Sequence, residues 1–246
     1  MSGHSKWNNI KRKKEKTDAQ KGKIFTKIGR EISVAVKLGG ADPSSNSKLK
    51  ELVSKAKSLN VPNDNIDRII KKAAGSGDKD TYEDITYEGY GPNGIAVIVE
   101  ALTDNRNRTA SDVRHYFDKF GGNLGTTGCV SYLFEDKGII VADVKGKDED
   151  AAMEDFLEAG AIDLNIEDGI AEIETEPNDV YSIKEAIEAK GYVIISAEAE
   201  KIPSTYVSLT DEESAKKMNL MLENLEDNDD VQKVWHNWEN EDEFDF

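Results

Sequence analysis

A single cysteine, Cys129, occurs among the 246 residues. No internal disulfide can form, and the residue lies in an apolar, strand-like run from Cys129 to Phe134, so it reads as a small core side chain in a reducing compartment. That points to the cytoplasm. No run of about 18 apolar residues exists, so nothing in the sequence is expected to span a bilayer. The N-terminus lacks the apolar core of a secretory signal, and Ser2 stands where a myristoylated chain would need glycine. No membrane partner is therefore expected. Catalytic signatures are equally scarce. The three histidines, His4, His115 and His236, are far apart and without metal-ligand spacing, and no GxSxG, HExxH or Gly-Lys-Ser/Thr loop occurs. The acidic run from Asn224 to Asp230 lacks the glycine and terminal glutamate of a calcium loop. The expectation is a protein with no catalytic residues, no metal and no cofactor.

What the chain has in excess is charge, unevenly placed. The net charge is -17, yet residues 1–75 hold 18 Lys and Arg against 7 Asp and Glu, while the remainder holds 14 against 42. The first part is thus +11 and the second -28. The cations concentrate further between Lys6 and Arg30. There Lys6, Lys11, Arg12, Lys13, Lys14, Lys16, Lys21, Lys23, Lys27 and Arg30 face only Glu15 and Asp18. Such a segment attracts a polyanion, because each neutralised phosphate releases a counterion. Trp7 within it offers a face for an unpaired base. The bland alternative is a solvated basic tail. The acidic remainder suits contact with protein or solvent, and restrains the basic part from binding every polyanion it meets.

Periodicity then divides the chain. Ile24, Ile28, Ile32, Ala35 and Leu38 recur at helical spacing and stop at Gly39-Gly40. Leu49, Leu52, Val53, Ala56 and Leu59 mark a second helix, and Asn63 opens a third that buries Ile66, Ile69, Ile70 and Ala73. After a linker at Gly75 to Asp80, Ile85–Tyr90 and Ile95–Thr103 read as strands around Gly91-Pro92-Asn93-Gly94. A helix capped by Thr109 and a strand over Cys129 to Phe134 follow. Residues 138–202 give strand, helix, two strands turning at Glu167-Asp168-Gly169, a helix opened by a Ser182/Glu185 capping box, and a strand, which is the split βαβ order of ferredoxin-like folds. A strand at Tyr206–Leu209, a helix capped by Thr210 and a strand at Val231–Trp238 then complete the earlier sheet. The fold expected is α+β: an N-terminal three-helix domain followed by two ferredoxin-like α/β domains, the third inserted into the second. The boundaries are 1–78 for the basic helical domain, 79–136 and 203–239 for the discontinuous domain, 137–202 for the insertion and 240–246 for a frayed acidic tail.

Two further groups invite a nucleic-acid reading. Arg106 and Arg108 alternate with asparagine ahead of a helix N-terminus, where guanidinium and backbone N–H groups can meet phosphate; the nearby carboxylates are equally available partners. Tyr87 and Tyr90 could stack bases, but the Gly and Pro around them mark a hairpin turn first.

The stretches GHSKW (Gly3–Trp7), FTK (Phe25–Lys27), GGAD (Gly39–Asp42), VPNDNIDR (Val61–Arg68), YEGYGPNG (Tyr87–Gly94), DNRNRT (Asp104–Thr109) and GGNLG (Gly121–Gly125) together resemble the YebC family. Its mitochondrial relatives are translational activators of a cytochrome oxidase subunit. The resemblance covers most of the chain and is weakest in the third domain and tail; Cys129 stands where relatives often have Ser. It implies a three-domain, non-enzymatic protein, long catalogued as a transcriptional regulator and more recently assigned as a ribosome-associated factor that helps translation through proline-rich stretches. The partner expected is accordingly ribosomal RNA or the ribosome, or alternatively promoter DNA.

Overall fold

The computed structural model describes Trp7 and residues 18–75 and 82–244. Packing divides the chain into two compact units, one comprising Tyr132–Ser208, Asn237–Glu243 and Trp7, the other drawn from residues 18–131 and 209–236.

The second of these units begins with three helices, α1 (Asp18–Gly39), α2 (Ser47–Ser58) and α3 (Asn63–Gly75). Ile28, Ile32, Ala35 and Val36 of α1 close a core with Leu49, Leu52 and Ala56 of α2 and Ile66 and Ala73 of α3. The stripe is shorter than its sequence period suggests: Ile24 is 39% exposed and Leu38 85%. One buried side chain joins two helix ends. Asn46 caps α2 by accepting from Leu49 N at 3.1 Å, while its amide donates to the carbonyls of Ala35 and Gly40, both at 2.8 Å. Orphan groups at both termini are thereby satisfied. A Cβ on Gly39 would lie 2.7 Å from this amide, and Gly40 has φ +88°, which accounts for the paired glycines.

The same unit holds a four-stranded antiparallel sheet of β1 (Glu83–Tyr90), β2 (Ala96–Thr103), β3 (Asn123–Leu124) and β8 (Val231–His236), ordered β3-β1-β2-β8. The β1–β2 hairpin turns through a short 3-10 segment, Pro92–Gly94, with Asn93 at φ 55°. Helices α4 (Arg106–Lys119) and α7 (Glu212–Asp227) pack on the sheet and on each other, burying Val113 and Phe117 from the first and Met218, Met221, Leu222 and Leu225 from the second.

The other unit carries β4 (Phe134–Asp143), α5 (Glu149–Ala159), β5 (Asp163–Glu167), β6 (Ile170–Thr175), α6 (Val180–Ala189) and β7 (Val193–Pro203), with strand order β5-β6-β4-β7. This is the split βαβ arrangement. Asp168 (φ 52°) and Gly169 (φ 75°) form the tight β5–β6 turn. Ile140, Ala142, Phe156, Ile173, Ile183 and Ile187 fill the helix-covered face. Ile139, Val141 and Ile170 lie on the other, against Trp7, Ile195 and Ile202. The continuous apolar run of β4 follows from burial on both faces.

Several local expectations are corrected. Thr109 does not cap α4; Asn105 does, accepting from Arg108 N at 3.1 Å. Asp211 rather than Thr210 caps α7, and Ser182 lies inside α6, which follows Asp179. The strand expected over Cys129–Phe134 does not form: Ser131–Leu133 is a short 3-10 turn, and Phe134 instead opens β4. The buried Glu88 carboxylate accepts the N–H groups of Gly128, Val130 and Ser131 at 2.8–2.9 Å, so that backbone turns around a side chain instead of joining a ladder. Residues 206–209 contribute only one bridge, Val207 to Trp238. The acidic tail forms a turn at Glu241–Glu243 instead of fraying at 240. No helix among the described residues is long and apolar enough to cross a membrane.

Candidate nucleic-acid interface

Lys23, Lys27 and Arg30 recur at four- and three-residue spacing on α1, so they share one face. That face meets the C-terminal end of α7, whose final turn contains no basic residue. Lys23 pairs with Asp227 at 3.0 Å, Lys27 donates to the Glu226 carbonyl at 2.6 Å, and Arg30 donates to the Asp229 carbonyl at 2.9 Å. Cations here offset the negative end of the helix dipole, and Lys27 occupies a carbonyl of the last turn. Arg30 also stands 5.7 Å from the centroid of Tyr82.

Asp230 anchors the arrangement. Its side chain is 4% exposed and receives Arg30 Nη1 at 2.7 Å, Arg108 Nη2 at 2.7 Å and Nε at 3.1 Å, and the Thr109 hydroxyl at 2.7 Å. Arg108 reaches Asp104 as well, at 2.9 Å. Burial pushes the Asp230 carboxyl up, but the bonds from Arg108, Thr109 and Arg30 outweigh it, and the net direction is downward. The bonds to Asp230 and Asp104 raise Arg108 in turn. Between phosphate and carboxylate as the partner of Arg108, this structure shows carboxylate. Arg106 is mostly exposed, 3.7 Å from Glu83.

The remaining expected contacts divide in two. Lys6, Lys11, Arg12, Lys13, Lys14 and Lys16 lie outside the described residues, and Lys21 falls within α1. Trp7 is half-buried, packed against the Ile139, Val141 and Ile170 cluster on the face of the β4–β7 sheet that the helices leave uncovered. Tyr90 donates to the Cys129 carbonyl at 3.1 Å and serves the turn. The charge excess continues along the bundle: Lys37, Lys48, Lys50, Lys57, Arg68, Lys71 and Lys72 are exposed on α1–α3, against exposed Asp42, Asp64 and Asp67, whereas Lys55 is half-buried, 4.0 Å from Glu31. Their signal was the +11 balance of residues 1–75, which persists beyond Arg30. Such a surface can bind phosphate.

Burial first, then the Glu88 charge, raise the Cys129 thiol, away from the thiolate that reactivity requires. Among the described residues no group of three His, Cys, Asp or Glu is placed to hold a metal ion.

Two family models match the chain, the TACO1/YebC protein N-terminal domain over residues 5–76 and the TACO1/YebC second and third domain over residues 82–238. A probable transcriptional regulatory protein of Acetivibrio thermocellus is 58% identical over 97% of this chain and 99% of its own. One from Finegoldia magna is 56% identical over 98% and 100%. The crystal structure of a conserved hypothetical protein, Aq1575, from Aquifex aeolicus superposes with a TM-score of 0.80 at 47% identity, covering 92% of this chain and 93% of that one.

Proposed function

Because the chain belongs to the TACO1/YebC family, whose relatives are named probable transcriptional regulatory proteins, it is a regulator of gene expression, and we propose that it acts as a ribosome-associated translation factor. In this reading the basic segment 1–75 binds ribosomal RNA, the acidic domains face protein or solvent, and the complex eases translation through proline-rich stretches. One observation carries the binding step: a chain of net charge -17 keeps a balance of +11 in its first 75 residues. With Lys23, Lys27 and Arg30 engaged on α7 and Asp230, the binding cations are those of residues 6–16 together with the exposed set on α1–α3. The proline-rich specificity rests on the family resemblance.

A DNA-binding transcriptional role is the second reading, and it too has an observation in its favour. Four residues, 59–62, join α2 to α3, and the second helix exposes Arg68, Lys71 and Lys72, a spacing that helix-turn-helix modules use. Sedimentation of lysate through sucrose, with the protein followed by antibody, separates the two. Co-migration with ribosomes is expected. Free protein, with promoter-specific gel shifts, would establish the DNA reading instead.

A further inference from the structure

Where α1 meets the start of α3, the surface opens into a pocket of about 240 Å³ lined by Phe25, Val61, Asn65, Arg68 and Ile69. Its floor is apolar. Val61 is 5% exposed, and Phe25 and Ile69 lean half-buried on the helical core. Its rim is polar: the Asn65 side-chain amide and the Arg68 guanidinium have no hydrogen bond or ion pair among the described residues. Lys71 and Lys72, three and four residues beyond Arg68 on the same helix, are exposed.

We infer that this pocket takes one unpaired nucleobase of the bound RNA. The volume falls below the roughly 300 Å³ at which sites for drug-sized ligands begin, so a single planar ring system fits where a whole nucleotide would not. An aromatic and aliphatic floor suits the face of a base. An amide, which donates and accepts at once, suits the mixed edge of a base that has no pairing partner. The guanidinium and the two lysines supply the charge that the flanking phosphates need. A peptide side chain would use the floor but would leave the cationic rim uncompensated. The inference rests on the RNA-binding reading above and adds to it a requirement for single-stranded character.

The test uses the full chain and a labelled RNA of about eight nucleotides, within the 4–16 that such single-strand sites cover, in three forms: single-stranded, fully paired in a blunt duplex, and with its bases replaced by abasic sugars. The variant pairs Phe25→Leu, which keeps the floor apolar, with Asn65→Ala. Stacking of one base is worth about 1–3 kcal/mol, so the variant should bind the single strand about tenfold more weakly and the duplex as wild type does. The wild type should lose a similar factor on the abasic strand, whereas the variant should bind abasic and normal strands alike. Equal losses on strand and duplex, no loss on either, or a variant still sensitive to base removal would overturn the pocket assignment while leaving RNA binding intact. Failure of the wild type to bind any of these RNAs, or ribosomes, would overturn the underlying reading as well. Arg68→Gln, which leaves the pocket floor untouched, should weaken binding to all three forms together.

Discussion

Arg108 grips Asp230 with two nitrogens, Nε at 3.1 Å from one carboxylate oxygen and Nη2 at 2.9 Å from the other, across 122 residues of sequence. Arg30 reaches the same carboxylate from α1. A single buried anion therefore ties the helical bundle to the sheet of its unit, and removing its charge leaves Arg30 with only its carbonyl and ring contacts and Arg108 with the half-exposed Asp104. Breaking a buried pair costs about 3–5 kcal/mol. Arg108 is 44% exposed and can rehydrate, so the low end applies. Asp230→Asn should lower unfolding stability by about 3 kcal/mol, measured by denaturant titration. A change below about 0.5 kcal/mol, ordinary for surface substitutions, would show the pair to be incidental.

The same carboxylate sets a pH dependence. Its folded-state value is depressed, so its contribution is fully present above the unfolded value, near about 3.9 for Asp, and is lost as pH falls through the lower folded value. Asp211 and Glu88 are also lowered, the first by the Ser214 backbone N–H and the second by three N–H bonds that outweigh its burial, so wild-type stability falls in acid for more than one reason. The difference between wild type and Asp230→Asn isolates one of them. That difference should be constant from pH 5 to 7 and should shrink below pH 4; a gap that widens in acid would contradict the sign.

The elements that sequence period made legible are those whose partners are close by. Gly40 follows the end of α1 at φ +88°, and Asp168-Gly169 turns the β5–β6 hairpin with both φ positive, backbone geometry that favours such residues locally, while Gly39 makes room for the Asn46 side chain seven residues on. The misreadings fall where a distant side chain outbids local preference. The Thr109 hydroxyl looks like a cap in sequence, but it is buried against Asp230, 121 residues away, and the cap passes to Asn105. Cys129–Phe134 has strand composition, yet Glu88, about forty residues earlier, collects its N–H groups. In the same way the charge balance located the basic surface but could not assign partners: Arg108 and Arg30 look the same as Lys37 or Arg68 until the fold brings Asp230 to them.

The arm itself supplies the next prediction. Changing Lys11, Arg12, Lys13 and Lys14 together to Glu should abolish co-sedimentation with ribosomes while leaving circular dichroism and the melting of the folded units unchanged. Association that survives the four substitutions would place the binding surface on the α1–α3 bundle instead, and the arm would then be a solvated tail.

Salt dependence distinguishes RNA from protein as the contacted surface. With about five phosphates neutralised on largely single-stranded or folded RNA, log affinity should fall with log salt at a slope of roughly -3 to -4. Binding isotherms at several potassium concentrations measure it directly. A slope near zero would point to docking on ribosomal protein.

The final prediction takes the inserted domain as a separable piece. Its strands begin at Phe134 and end at Pro203, and just outside them Ser204 N donates to the Leu133 carbonyl at 2.8 Å. The two cut ends thus already touch. Replacing Phe134–Pro203 with a short Gly/Ser linker closes a gap that the native backbone has itself nearly closed, and loop-closure cost grows only slowly with length. The sheet of β1, β2, β3 and β8 should therefore survive, visible as retained near-ultraviolet dichroism and cooperative melting. RNA affinity should persist, because the acidic insertion contributes none of the exposed cations on α1–α3. Translation of a reporter containing a proline run should lose its dependence on the protein, since the deletion removes one of the acidic domains proposed to face a protein partner and the sheet against which Trp7 packs. Wholesale unfolding of the deletion would refute the insertion, and full translational activity would show that the domain is dispensable for it.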